Sequence, residues 1–106
     1  MAEGKEDPKL AELRKEHGNL VELRFEGHVA FAFRRPTLEE WEDSQEKIRK
    51  AAPGVAFREM SQRTLVYGEL EALTKLFESR PMAPGLVADE LSDLAREGIE
   101  IVVKKG

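Results

Sequence analysis

LVELRFEGHVAFAFRRPTLEEWEDSQEKI, residues 20–48, holds two apolar alternations, a glycine between them, an Arg-Arg-Pro corner and the opening of a helix. Val21, Leu23 and Phe25 take odd positions, as do Val29, Phe31 and Phe33, while Glu22, Arg24, Glu26 and Arg34 fill even ones. That period belongs to strands with one buried face. A tight turn at Glu26-Gly27 would send the two large apolar sets to opposite faces. The spacing therefore predicts a bulged or longer loop over Glu26, Gly27 and His28, with Phe25 facing Val29, Leu23 facing Phe31 and Val21 facing Phe33.

Pro36 has no N–H and drives Arg35 to extended geometry, so the second strand should end at Arg34-Arg35. Thr37 and Glu40 have the spacing of a capping box, with Glu39, Glu40, Glu42 and Asp43 at the positive end of the helix dipole and Lys47, Arg49 and Lys50 at the other. Leu38, Trp41, Gln45, Ile48 and Ala52 form a narrow stripe predicted to cover the hairpin.

Outward from this centre the pattern is helical. Asp7-Pro8 reads as the cap and first residue of a short helix ending near Gly18, but only Leu10, Leu13 and His17 share a face. Residues 1–18 are therefore expected to be a loose segment or a short helix, ordered by docking or by a partner, ahead of one domain over 19–106. Ala51-Ala52-Pro53-Gly54 breaks the chain, and Val55 to Tyr67 resumes a helical pattern that Gly68 interrupts. A further helix runs over 69–79 with Leu70, Leu73, Leu76 and Phe77. The proline-rich stretch 80–85 precedes a last helix from about Leu86 to Glu97, with Val87, Leu91 and Leu94 inward and Gly98 as its stop. The β-branched tail Ile99-Glu100-Ile101-Val102-Val103 is a candidate third strand. The expected fold is α+β: an N-terminal antiparallel hairpin, with the C-terminal segment as its candidate third strand, packed on a bundle of about four short helices.

Composition narrows the function. Charged residues make up 36% of the 106-residue chain, which suits a heavily solvated surface, and a net charge of −4 argues against nucleic acid or an anionic membrane as partner. No cysteine is present, so disulfides and thiolate metal sites are excluded. The start lacks an apolar leader, and the expectation is a cytoplasmic protein. His17 and His28 have no metal-ligand spacing, the serines lack a nucleophile context, and phosphate-binding glycine patterns are missing. The paired acids of the Trp41 helix are better read as solvated, dipole-stabilising residues than as an acid/base pair. No enzyme, cofactor or metal site is expected. A DNA-binding regulator is disfavoured because Glu69 and Glu71 stand where phosphate contacts need Arg or Lys.

Residues that remain for a protein partner are Arg34 and Arg35, which either salt-bridge within the chain to Glu39 or Glu42 or grip a partner's carboxylates, and an apolar set of Phe57, Met60, Leu65, Tyr67, Leu70 and Phe77, each more simply core. Met60 lies on a core stripe. Met82, in a loop, suits an adaptable surface.

The order of the pieces carries more than any one of them. A short hairpin, then FRRPTLEEWE (33–42), then GELEALTKLFESRP (68–81) and LVADELSDLAREG (86–98) resembles the small tail-assembly-chaperone-like proteins of tailed phages and phage-derived elements, over roughly 19–98. The tail 99–103 lies outside that resemblance. The resemblance implies a non-catalytic protein that binds a helical, aggregation-prone tape-measure or other tail component in the host cytoplasm, by a helix-in-groove mode. Its rival is a structural or adaptor subunit of a phage tail or contractile injection particle. The partner's identity and a homo-oligomeric state stay open.

Overall fold

The computed structural model describes residues 7–106, in which helices α1 (Pro8–His17), α2 (Leu38–Arg49), α3 (Pro53–Thr64), α4 (Leu70–Ser79) and α5 (Ala83–Ala95) surround strands β1 (Val21–Phe25), β2 (His28–Phe33) and β3 (Leu65–Tyr67). The sheet is antiparallel in the order β1-β2-β3, and the fold is α+β.

The hairpin solves its parity problem within the strand rather than in the loop. Glu26 at φ 53° and Gly27 at φ 82° form a tight turn with both central residues left-handed. Phe25 therefore pairs with His28 and Arg24 with Val29, then the register slips past Ala30, and Leu23 meets Phe31 and Val21 meets Phe33. The extra residue is a bulge at Ala30, not His28 in a longer loop as the alternation suggested. Leu23, Phe31, Val21 and Phe33 share one face as expected. Val29 does not join them, because it stands across from Arg24 on the other side.

That face makes the main core with Met60, Leu73, Phe77, Val87 and Leu91, all buried. The opposite face carries Glu22, Ala32 and Tyr67, which are neighbours across the sheet. Arg14 of α1 bonds Glu22 there, and the Tyr67 hydroxyl bonds Asp7, the α1 cap. Leu10 and Leu13 of α1 are buried, and Ala32 is wholly so. A short helix with two inward leucines thus closes the second face, so Pro8–His17 is a helix and it is docked, while residues 1–6 of the expected N-terminal segment lie outside the described residues.

The third strand comes from the middle of the chain. The helical pattern over Val55–Tyr67 breaks at Thr64, whose hydroxyl bonds back to the Met60 carbonyl at 2.8 Å. Leu65–Tyr67, β-branched and aromatic at Val66 and Tyr67, then pairs with β2. Gly68 permits this. Its φ is +96°, and a Cβ there would stand 2.6 Å from Phe31 Cδ1 and 2.7 Å from the Ala30 carbonyl oxygen. Residues 99–103, the candidate third strand, have no regular structure, and the tail 99–106 is exposed throughout.

Two helices also differ from their patterns. α2 has its predicted capping box, yet it packs mainly against α3, and of its stripe Trp41 is the residue that reaches the core containing Phe31 and Phe33. Its buried side chains are Glu40 and Ser44, while Leu38 lies exposed. α5 begins at Ala83, since Pro84 in the first turn lacks only an N–H that would have no helical partner. Among the described residues no helix is long and apolar enough to cross a membrane.

Candidate protein-binding groove

The corner at the end of β2 uses both of its arginines internally. Arg34 donates through its two terminal nitrogens to Glu40 Oε1 and Oε2 at 2.8 and 2.7 Å, and also to the Arg63 and Arg35 carbonyls. Glu40 accepts in addition from the Thr37 amide at 2.9 Å, while the Thr37 hydroxyl accepts from the Glu40 amide. The Arg34 bonds, the Thr37 amide and nearby Arg63 outweigh burial and hold the Glu40 carboxyl down to about 2. Arg35 turns the other way. Its Nε donates to the Leu94 carbonyl at 3.0 Å, at the open end of α5, and its terminal nitrogen to Glu97 at 2.9 Å. Both arginines thus pair with carboxylates of the chain as the local reading expected, though these are Glu40 and Glu97 rather than Glu39 or Glu42.

Of the apolar candidates, Met60 and Phe77 are core residues, each 5% exposed. They have no surface to offer a partner, because the helical stripes that made them candidates are the stripes that build the core. Phe57, Leu65 and Tyr67 are half-buried, and the Tyr67 hydroxyl is engaged by Asp7 at 2.7 Å. That bond raises the Tyr67 pKa, and the Lys9 amide followed by Tyr67 lowers that of Asp7. Leu70 is exposed, on the outer side of α4. The six named candidates therefore form no common surface.

An apolar groove lies elsewhere, between β1 and the α4–α5 connection. It has a volume of about 510 Å³ and is lined by all of Val21 to Phe25, by Leu76, by Arg80 to Ala83, and by Leu86, Val87 and Glu90. Successive strand residues point to opposite faces, so a cavity touched by a run of them opens along the strand's edge. Among the described residues β1 is an edge strand, and none of its residues makes a backbone hydrogen bond outside the sheet. Phe25, Met82 and Leu86 are exposed at 42, 77 and 60%. The Arg80 guanidinium lies 5.8 Å from the centre of the Phe25 ring.

Met82 was legible as an exposed loop methionine. Leu86 sits off the Val87-Leu91-Leu94 stripe, and that offset was the signal for it. Phe25 was hidden by its parity with Leu23, since the alternation runs on into the turn where no helix covers it. Among the described residues no cluster of His, Asp or Glu side chains has the makings of a metal site.

No family model and no curated protein matches the chain. Its fold recurs in the solved structure of an uncharacterised protein from Bacillus stearothermophilus, with a TM-score of 0.68 and 22% identity over 90% of this chain and 99% of that one. At that identity the likeness is one of fold.

Proposed function

We propose that the chain is a non-catalytic phage tail assembly chaperone, which holds an apolar segment of a tape-measure or other tail component in the groove between β1 and α5. The observation that carries the reading is that groove. Three large apolar side chains, Phe25, Met82 and Leu86, stand exposed around one concave site beside an unpaired strand edge, and contiguous exposed apolar surface marks a binding site. A flexible methionine at its rim adapts to varied side chains. The choice of partner class comes from the order of hairpin, Arg-Pro-Thr corner and Pro-ended helix in the sequence.

Co-expression with a candidate tail component tests it. The partner should be soluble with this protein and aggregate without it, and Leu86→Glu should abolish the rescue while the fold keeps its melting temperature. A partner insoluble in both cases, with this protein stoichiometric in finished particles, would replace the chaperone by an adaptor subunit.

A further inference from the structure

The groove has a candidate occupant in the chain itself. Ile99, Ile101, Val102 and Val103 are 64, 87, 62 and 85% exposed, and beyond the Ile99 amide the tail makes no backbone hydrogen bond among the described residues. A β-branched segment with free amides and a strand edge with free amides are complementary in the same bonds. We propose that the C-terminal segment of a second copy adds to β1 as an antiparallel strand, filling the groove in trans. The inference stands on the groove and the tail, not on the chaperone reading.

Charge selects both the direction and the copy. At the Phe25 end the groove is basic, with Arg80 on its lining and beside it Arg24, whose guanidinium bonds Glu22 at 2.9 Å but stays 65% exposed. The Arg80 guanidinium makes no ion pair among the described residues, where it meets the Ser79 carbonyl and the Phe25 ring. At the other end Glu90, Asp93 and Glu97 surround Asn19 and Leu20, with Asp93 also bonded to Arg96 and Glu97 to Arg35. The tail is polar in the reverse sense: Glu100 comes early, Lys104 and Lys105 late. Laid antiparallel with Glu100 opposite Arg24, it sets Ile99 by Phe25, Ile101 by Leu23 and Val103 by Val21, all toward the trough, and carries both lysines to the acidic end.

A chain's own tail cannot take that course directly. α5 runs from the Phe25 end, where Met82 lines the groove, to the Asn19 end, where Asn19 Nδ2 donates to Glu97 at 2.8 Å. The tail therefore leaves at the acidic end. Folding back along its own β1 would run parallel, placing Glu100 beside Glu90 and the lysines beside Arg24 and Arg80. Like charges would meet at both ends, so the second copy is favoured.

The absence of cysteine makes the test clean. Arg24→Cys in one copy and Glu100→Cys in a second, size-tagged copy should give a mixed disulfide on oxidation. Arg24→Cys with Lys104→Cys should give little. Sedimentation should show concentration-dependent self-association that weakens with salt and disappears for a chain ending at Gly98, whose melting temperature should not change. A monomer at all concentrations overturns the proposal. So does a cross-link that forms only within one chain carrying both Arg24→Cys and Glu100→Cys, or one favouring Lys104→Cys. Loss of rescue of a tail component with self-association intact removes the chaperone reading alone. Rescue by a chain that never self-associates removes this one alone.

Discussion

The two ends of the chain meet the same sheet on opposite terms. α1 brings only two buried leucines, yet it is seated, because Ala32 leaves room beneath it and Arg14–Glu22 and Tyr67–Asp7 bonds fix its rim. The tail brings four large apolar residues and leaves each of them exposed. Apolar content alone does not decide burial. α1 can satisfy its own backbone and needs only a flat surface, whereas a strand needs an edge, and the edge near α5's end runs the wrong way for it.

The harshest way to break this comparison is to remove the wall. Phe31 is 6% exposed, and Phe31→Ala should cost about 3–5 kcal/mol, read as a shift in denaturant midpoint. Amide exchange in α1 should then quicken together with that of the core, while exchange in the tail stays fast as in the parent. If α1 exchanges fast in the parent as well, the contrast between the ends fails.

The corner between them gives a pH signature. A Glu40 carboxyl depressed from 4.5 to about 2 corresponds to about 3 kcal/mol. Because the folded pKa is the lower one, that stability is complete above the unfolded value of 4.5 and is lost as pH falls toward 2. Glu40→Gln should flatten this limb of the stability curve and leave Arg34 without its counter-charge at neutral pH. An unchanged acid limb would mean that the pair is solvated.

Leu10→Ala tests the seated end directly. The residue is 2% exposed, but it lies under a single short helix that can settle into the space. The low end of the range for such truncations applies, about 2–3 kcal/mol. An effect below about 0.5 kcal/mol, the size for a surface site, would make α1 an appendage. Arg35→Ala should cost less, about 0–1 kcal/mol, since Arg35 and Glu97 are both 44% exposed. Its sharper effect should be faster exchange in the last turn of α5, from which the tail departs.

How much of this was legible follows the range of the interactions. The capping box at Thr37 and Glu40, the corner at Pro36 and the inward stripe Val87-Leu91-Leu94 are local, and periodicity or a fixed offset reveals them. The pairings of Leu23 with Phe31 and Val21 with Phe33 were readable because only one parity buries them. The Ala30 bulge was not, since an extra residue restores that parity equally well in the loop or in the strand. β3 was missed because Leu65, Val66 and Tyr67 continue a helical stripe without a polar break, and their strand geometry is imposed by β2 alongside. The core lay where the stripes pointed, which is why Met60 and Phe77 failed as contact residues. The groove depends on Phe25, Leu86 and Met82 coming together from distant positions, and no spacing records that.

The smallest expected effect belongs to the unseated end. Ile101 is 87% exposed and has little burial to lose, so Ile101→Asp should change folding stability by less than about 0.5 kcal/mol. Measured at a dilution where copies are separate, its melting temperature should match the parent. At high concentration the two should part, because an aspartate set against Leu23 in the trough brings an unpaired carboxylate into an apolar site, and the parent alone should gain stability with concentration. A substitution that is silent in the monomer and costly only on crowding separates an end that is merely loose from one that has its binding site on another copy. Equal behaviour at every concentration would leave the tail a solvated terminus, and the contrast between the two ends would then be one of seating alone.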